Sequence, residues 1–211
     1  TIMATGNYAI VKGSDAGCGQ MPFEGYPLAY SNQFIQEDLA SNKECILARI
    51  YEDGVLMHET ARQAGSLGTG LSKDFVESFL CKDGKPISIS DQYKGDATLD
   101  EEFTNRDPRM YQIIDNSHKP YQVVNGERQV NLYPNCDGSS AVTGYPCVKY
   151  RSPLLLQAEA NHTTYDWFVY RYAEVLLINA EANAELGKCT QEVLDKTINQ
   201  LRDRVEMAHL T

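Results

Sequence analysis

The most regular hydrophobic pattern lies towards the C-terminal end of the chain. Over residues 165–186 small side chains recur as Ala173, Ala180 and Ala184, at i, i+7 and i+11, flanked by Tyr172, Leu176 and Leu177. That spacing puts them on one face of an α-helix, where small side chains let a second helix come close. The pattern predicts one long helix over 165–186, stopped by Gly187, because glycine readily takes the left-handed conformation that ends helices. Thr190 is placed to cap a second helix, with Glu192 favourable near its positive end. Leu194, Ile198, Leu201 and Val205 follow at i, i+4, i+7 and i+11, one apolar stripe that predicts a helix over 190–207. Helices joined by so short a link run antiparallel, so the Ala173/Ala180 face is expected against the Leu194/Ile198/Leu201 stripe. The unit reads as a helical hairpin of tetratricopeptide-like build.

Upstream the apolar runs are shorter. Residues 32–39 predict a brief helix with Phe34, Ile35 and Leu39 inward, and 44–51 a strand ending at an Asp53-Gly54 turn. Ser72 caps a helix whose Phe75, Val76, Phe79 and Leu80 share a face, closed by Asp83-Gly84. Asp107-Pro108 marks a turn before a strand expected over 110–114. Residues 121–124 and 127–130 form a hairpin about Asn125-Gly126, a pair suited to a type I′ turn. Residues 1–160 thus read as loop-rich with short helices and hairpins, and 161–211 as the helical hairpin, all within one domain. One hairpin cannot bury both its faces, and no second copy of it occurs in the sequence, so stacking partners are expected outside these 211 residues.

Charge and composition narrow the function. The formal net charge of −10 lacks the basic footprint that phosphate backbones need, so nucleic acid is not an expected partner. No apolar run approaches bilayer-spanning length; residues 175–178 reach four. Residues 1–6 have neither the basic nor the apolar part of a signal peptide, so any targeting segment is expected outside this sequence. The six cysteines form no C-x-x-C pair, which argues against a zinc knuckle. Cys136 and Cys147 flank one polar loop and could close it in an oxidising compartment, although buried free thiols are the simpler reading.

Several motifs stop short of chemistry. The run 65–72 imitates a phosphate loop, but Leu71 stands where lysine would reach the phosphates. His58-Glu59 begins a zinc-protease helix, but Arg62 occupies the second ligand position. His118, His162 and His209 are isolated. No facing carboxylate pair is identifiable, so no cofactor, metal or catalytic residue is expected. The 13 tyrosines matter more, because a tyrosine ring stacks on sugar while its hydroxyl bonds to it.

The stretch Trp167-Phe-Val-Tyr-Arg171-Tyr172-Ala173-Glu174-Val175-Leu176-Leu177, with Ala180-Glu181-Ala182 and Glu185-Leu186-Gly187 after it, resembles the "RYAEVLL…AEA…ELG" signature of the SusD/RagB family. Ile198-Asn199-Gln200-Leu201-Arg202-Asp203-Arg204 is similar to that family's next helix, with Val205-Glu206 in place of the usual Ala-Gly. Gly6-Asn7-Tyr8, Asn42-x-Glu44-x-Ile46, the Ser72 helix and Arg106-Asp107-Pro108-Arg109 match further family elements in order. The resemblance implies a mainly α fold: a tetratricopeptide-like helical superhelix with a loop-rich segment carrying short β-hairpins. It also implies a lipoprotein exposed on the outer membrane, anchored through a lipid outside this sequence. Such a protein captures oligosaccharide for a TonB-dependent (SusC-like) transporter and is not an enzyme. Parts of the full protein are expected on both sides of the chain. Arg171, Glu174 and Arg202 read as architectural ion-pair residues.

For sugar contacts, the loop 58–71 stands out, being Gly-rich between a strand and a capped helix. His58, Arg62 and Gln63 offer groups for sugar hydroxyls, and Tyr51 at the strand end offers a ring. Two rival functions stand beside this one: a tetratricopeptide-type scaffold that binds protein or peptide only, and a glycoside hydrolase. A continuous concave groove would favour the first, and two facing carboxylates in a cleft the second.

Overall fold

Most elements of this chain are too short to bury a face alone, and long-range contacts hold them in place. The structure, a computed structural model, describes residues 2–12, 29–64, 70–131 and 141–211. After a 3-10 turn at Ile2–Thr5 come α1 (Ala29–Asn32), which runs on as a 3-10 turn over Gln33–Ile35, and β1 (Cys45–Arg49). Then follow α2 (Thr60–Gln63), α3 (Lys73–Glu77), α4 (Leu99–Phe103) and α5 (Met110–Ile113). The hairpin β2 (Gln122–Val124) and β3 (Glu127–Gln129) precedes α6 (Leu155–Ala158). The chain closes with β4 (Trp167–Arg171), α7 (Tyr172–Glu185), α8 (Gln191–Lys196) and α9 (Ile198–Asp203).

Local chemistry places many boundaries where the sequence puts them. Ser72 Oγ accepts the Phe75 N–H and starts α3; Thr190 Oγ1 accepts the Val193 N–H and starts α8. Gly187 takes φ 65° just past α7. Asn125 (φ 51°) and Gly126 (φ 81°) make the turn that pairs Val124 with Glu127. Phe34, Ile35 and Leu39 are buried as expected.

Three expected elements differ. Residues 165–186 are not one helix: 167–171 form β4, and α7 starts only at Tyr172. Trp-Phe-Val-Tyr favours strand, and β4 finds an antiparallel partner in β1, with Cys45 opposite Arg171 and Arg49 opposite Trp167. Residues 190–207 are broken at Thr197 (φ −130°, ψ −92°), whose buried hydroxyl donates to the Val193 carbonyl at 2.6 Å, an alternative to the helix ladder. Residues 110–114 are helical up to Ile113, since Asp107 accepts the Arg109 and Met110 N–H groups and Pro108 suits a first turn; Ile114 alone bridges to Cys147. A short apolar run cannot distinguish the two states.

The apolar core falls into separate clusters. Ile10, Tyr172, Ala173 and Leu176 pack with Ile46 and Leu201, which seats α7 on β1 and α9. Val76, Met110, Ile113 and Ile114 join α3 to α5. Ile35, Ala61 and Tyr165 tie the first turns to the segment before β4. Both α8 and α9 pack on α7. Between clusters sits the fully buried Lys119, whose Nζ donates to Ser31 Oγ, the Gln112 carbonyl and the Val148 carbonyl at 2.6–2.8 Å. Among the described residues no helix is long and apolar enough to cross a membrane.

Candidate ligand-binding site

The β1–β4 ribbon fixes two contrasting groups of side chains. At one end Glu44 is fully buried and accepts four hydrogen bonds from three donors: Arg171 Nη1 at 2.8 Å, Arg204 Nη1 at 2.9 and 3.0 Å to its two oxygens, and the Val11 N–H at 3.2 Å. Arg171 therefore pairs with Glu44 rather than with Glu174, and Arg202 donates to the Ala208 carbonyl at 2.6 Å. At the other end Asp166 accepts the Leu39 N–H at 3.1 Å and the Tyr51 N–H at 3.2 Å, and so holds Tyr51 beside β4. Burial lifts the Asp166 pKa.

From Tyr51 a row of half-buried rings runs along this edge. Tyr51 meets His58 edge-on at 4.5 Å, and His58 meets Tyr165 at 4.6 Å and Trp167 at 6.0 Å. Trp167 stacks on Tyr150 at 4.5 Å with only 15° between planes. The buried Tyr165 supports the row from behind, its hydroxyl donating to the Tyr150 carbonyl at 2.5 Å. Beyond Tyr150 opens a pocket of about 260 Å³ lined by Phe34, Lys149, Trp167, Phe168, Arg171 and Glu174 among others.

The sequence-predicted residues divide here. Tyr51 and His58 come together with the aromatic row. His58 Nδ1 accepts the Thr60 N–H at 3.2 Å, which leaves the ring proton on Nε2, donated to the Tyr165 carbonyl at 3.0 Å. Burial holds its pKa below the usual value, so this imidazole is a neutral strut with both nitrogens engaged. Arg62 and Gln63 stand exposed on α2, Arg62 paired with Glu59 at 3.3 Å. The glycine-rich part of that loop, 65–69, lies outside the described residues, as does Cys136; Cys147 is a free thiol. Lys149, Tyr150 and Trp167 escaped the sequence reading. The only available signal was the β-favouring Trp-Phe-Val-Tyr run, which the longer helical pattern masks. Among the described residues no three metal-binding side chains converge.

The SusD family pattern matches residues 31–211, and the chain belongs to the SusD family. Its fold is shared by a SusD-like protein of Bacteroides fragilis, 22% identical with a TM-score of 0.64 over 97% of this chain and 41% of that one. A SusD-like carbohydrate-binding protein of the same organism is 28% identical, with a TM-score of 0.60 over 81% of this chain and 36% of that one. The chain thus spans about two fifths of the length of these structures. No curated protein matches it.

Proposed function

We propose that this chain binds oligosaccharide at the cell surface and serves its delivery to a SusC-like, TonB-dependent transporter of the outer membrane, without catalysing a reaction. In this reading a lipid anchor outside the sequence holds the protein to the membrane, and the α7–α9 unit is one hairpin of a tetratricopeptide-like superhelix. The exposed Leu177, Ile178 and Leu186 would then be covered by further hairpins. The observation that carries the binding role is the Trp167/Tyr150 stack at the mouth of a pocket with polar walls. Sugar rings present C–H faces to aromatic rings and hydroxyls to charged side chains, and this edge offers both. Tyr51, with Arg62 and Gln63 beyond it, extends the platform, and His58 sets its geometry. Family membership and a carbohydrate-binding structural neighbour support the same reading.

The rival reading, a scaffold for protein or peptide, is favoured by an apolar groove of about 560 Å³ lined by Phe75, Phe79, Leu177, Leu201 and Met207. Trp167 is the sole tryptophan, so intrinsic fluorescence reports on the pocket directly. Titration with an oligosaccharide panel is expected to change that fluorescence and to release heat in calorimetry. Substituting Tyr51 and Arg62 by Ala together should weaken binding by about 1 kcal/mol per lost contact. No heat and no fluorescence change with any glycan would sink the proposal. Unchanged affinity in a folded double variant would restrict the site to Tyr150 and Trp167.

A further inference from the structure

We infer that the pocket between Phe34 and Trp167 takes an acidic sugar, a pyranose bearing a carboxylate, with that carboxylate set against the ammonium group of Lys149. The inference rests on the glycan-binding reading above and names the class of glycan. It starts from an imbalance in how cations are satisfied. Arg171 and Arg204 share Glu44, and Arg109 has Asp107. Lys149 has no hydrogen-bond or ion-pair partner among the described residues; its ammonium lies 4.2 Å from the Phe34 ring centre and 5.3 Å from that of Tyr150. The Arg171 guanidinium stands over the same Phe34 ring at 5.2 Å, so Phe34 meets two cations. Cation–ring attraction offsets only part of the cost of taking an ammonium from water. Burial, then repulsion from Arg171, Arg204 and Arg109, pushes the Lys149 pKa down to about 8.

The carboxylates near the pocket do not fill the gap. Asp166 is held by two backbone N–H groups, and Glu174 is exposed at the rim. A ligand carboxylate would give Lys149 the counter-charge the fold leaves out, while the sugar ring lay on Trp167 and Tyr150. A neutral sugar would gain the stacking and hydroxyl contacts but bring no counter-charge. Lys149 also lines the apolar groove on its other side, so one cation lies between the two cavities.

The test is calorimetry with an oligogalacturonide and a neutral galacto-oligosaccharide of equal length, backed by Trp167 fluorescence. The wild-type chain is expected to prefer the acidic ligand by roughly tenfold, the scale of one charge-assisted hydrogen bond. Lys149→Met should abolish that preference, weakening the acidic ligand more than the neutral one. Lys149→Arg should keep it, and Glu174→Gln should increase it. Raising the pH from neutral to about 9.5 should weaken acidic binding in the wild type only, as Lys149 sheds its proton. Equal affinity for the two ligands, or equal loss of both in Lys149→Met, would overturn the inference while glycan binding stood. Failure of both ligands to bind or to move Trp167 fluorescence would remove the glycan-binding reading and this inference with it.

Discussion

A buried carboxylate, Glu44, and a half-buried ammonium, Lys149, lie against the same β-ribbon and differ in whether the fold completes them. Around Glu44, each carboxylate oxygen has donors, and those donors come from the N-terminal segment, β4 and the residue just past α9. Around Lys149, the partners are aromatic rings, other cations and open pocket. A carboxylate with both oxygens taken is a clamp: it has no acceptor to spare for a ligand, and removing it strands its donors. An open centre keeps a desolvated charge beside a cavity, which costs stability and is useful only to a partner that brings the missing charge. A complete hydrogen-bond set and an incomplete one thus stand close together in the fold.

The largest effect should come from the closed centre. Glu44→Gln leaves Arg171 and Arg204 without a counter-charge and should lower the unfolding free energy by about 3–5 kcal/mol, read from denaturant midpoints. A loss below about 1 kcal/mol would mean that Glu44 is no clamp. Next comes the packing that the same clamp braces. Ala180 is buried on α7, the helix that carries α8 and α9, and Ala180→Leu should cost about 1–3 kcal/mol by overpacking. A neutral result would show that the small-residue face is loose. The smallest effect, opposite in sign, belongs to the open centre: Lys149→Met should raise stability by about 1 kcal/mol at neutral pH. The pH dependence follows from the lowered pKa. Between about pH 8 and pH 10.4 the unfolded chain holds a proton that folded Lys149 has released, so this site makes wild-type stability rise with pH over that window. Lys149→Met should lack that rise and lose its advantage at the alkaline end; a destabilised variant at neutral pH would show Lys149 to be structural.

How much could be read beforehand divides along the same line. The Ser72 and Thr190 caps, the Gly187 stop, the Asn125-Gly126 turn and the inward Phe34, Ile35 and Leu39 were all legible, because each depends on a few neighbouring residues. The edge-on contact of Tyr51 with His58 was not, although both stood out singly as candidate ligand contacts. Residues 167–171 were not legible, since their helical period continues that of α7 and only pairing with β1 makes them a strand. The clamp was hidden for a similar reason: Glu44 and Arg204 lie 160 positions apart. The pocket was hidden more deeply still. Phe34, Lys149, Tyr150 and Trp167 come from three separate stretches of chain, and the one motif among them, the signature that begins at Trp167, points to the helix after it and not to a pocket. The sequence by itself determined the caps, turns and apolar faces, whose energies are local. Tertiary structure alone decided which charges meet a partner and which are left facing a cavity, because desolvation and pairing depend on everything that packs around a group.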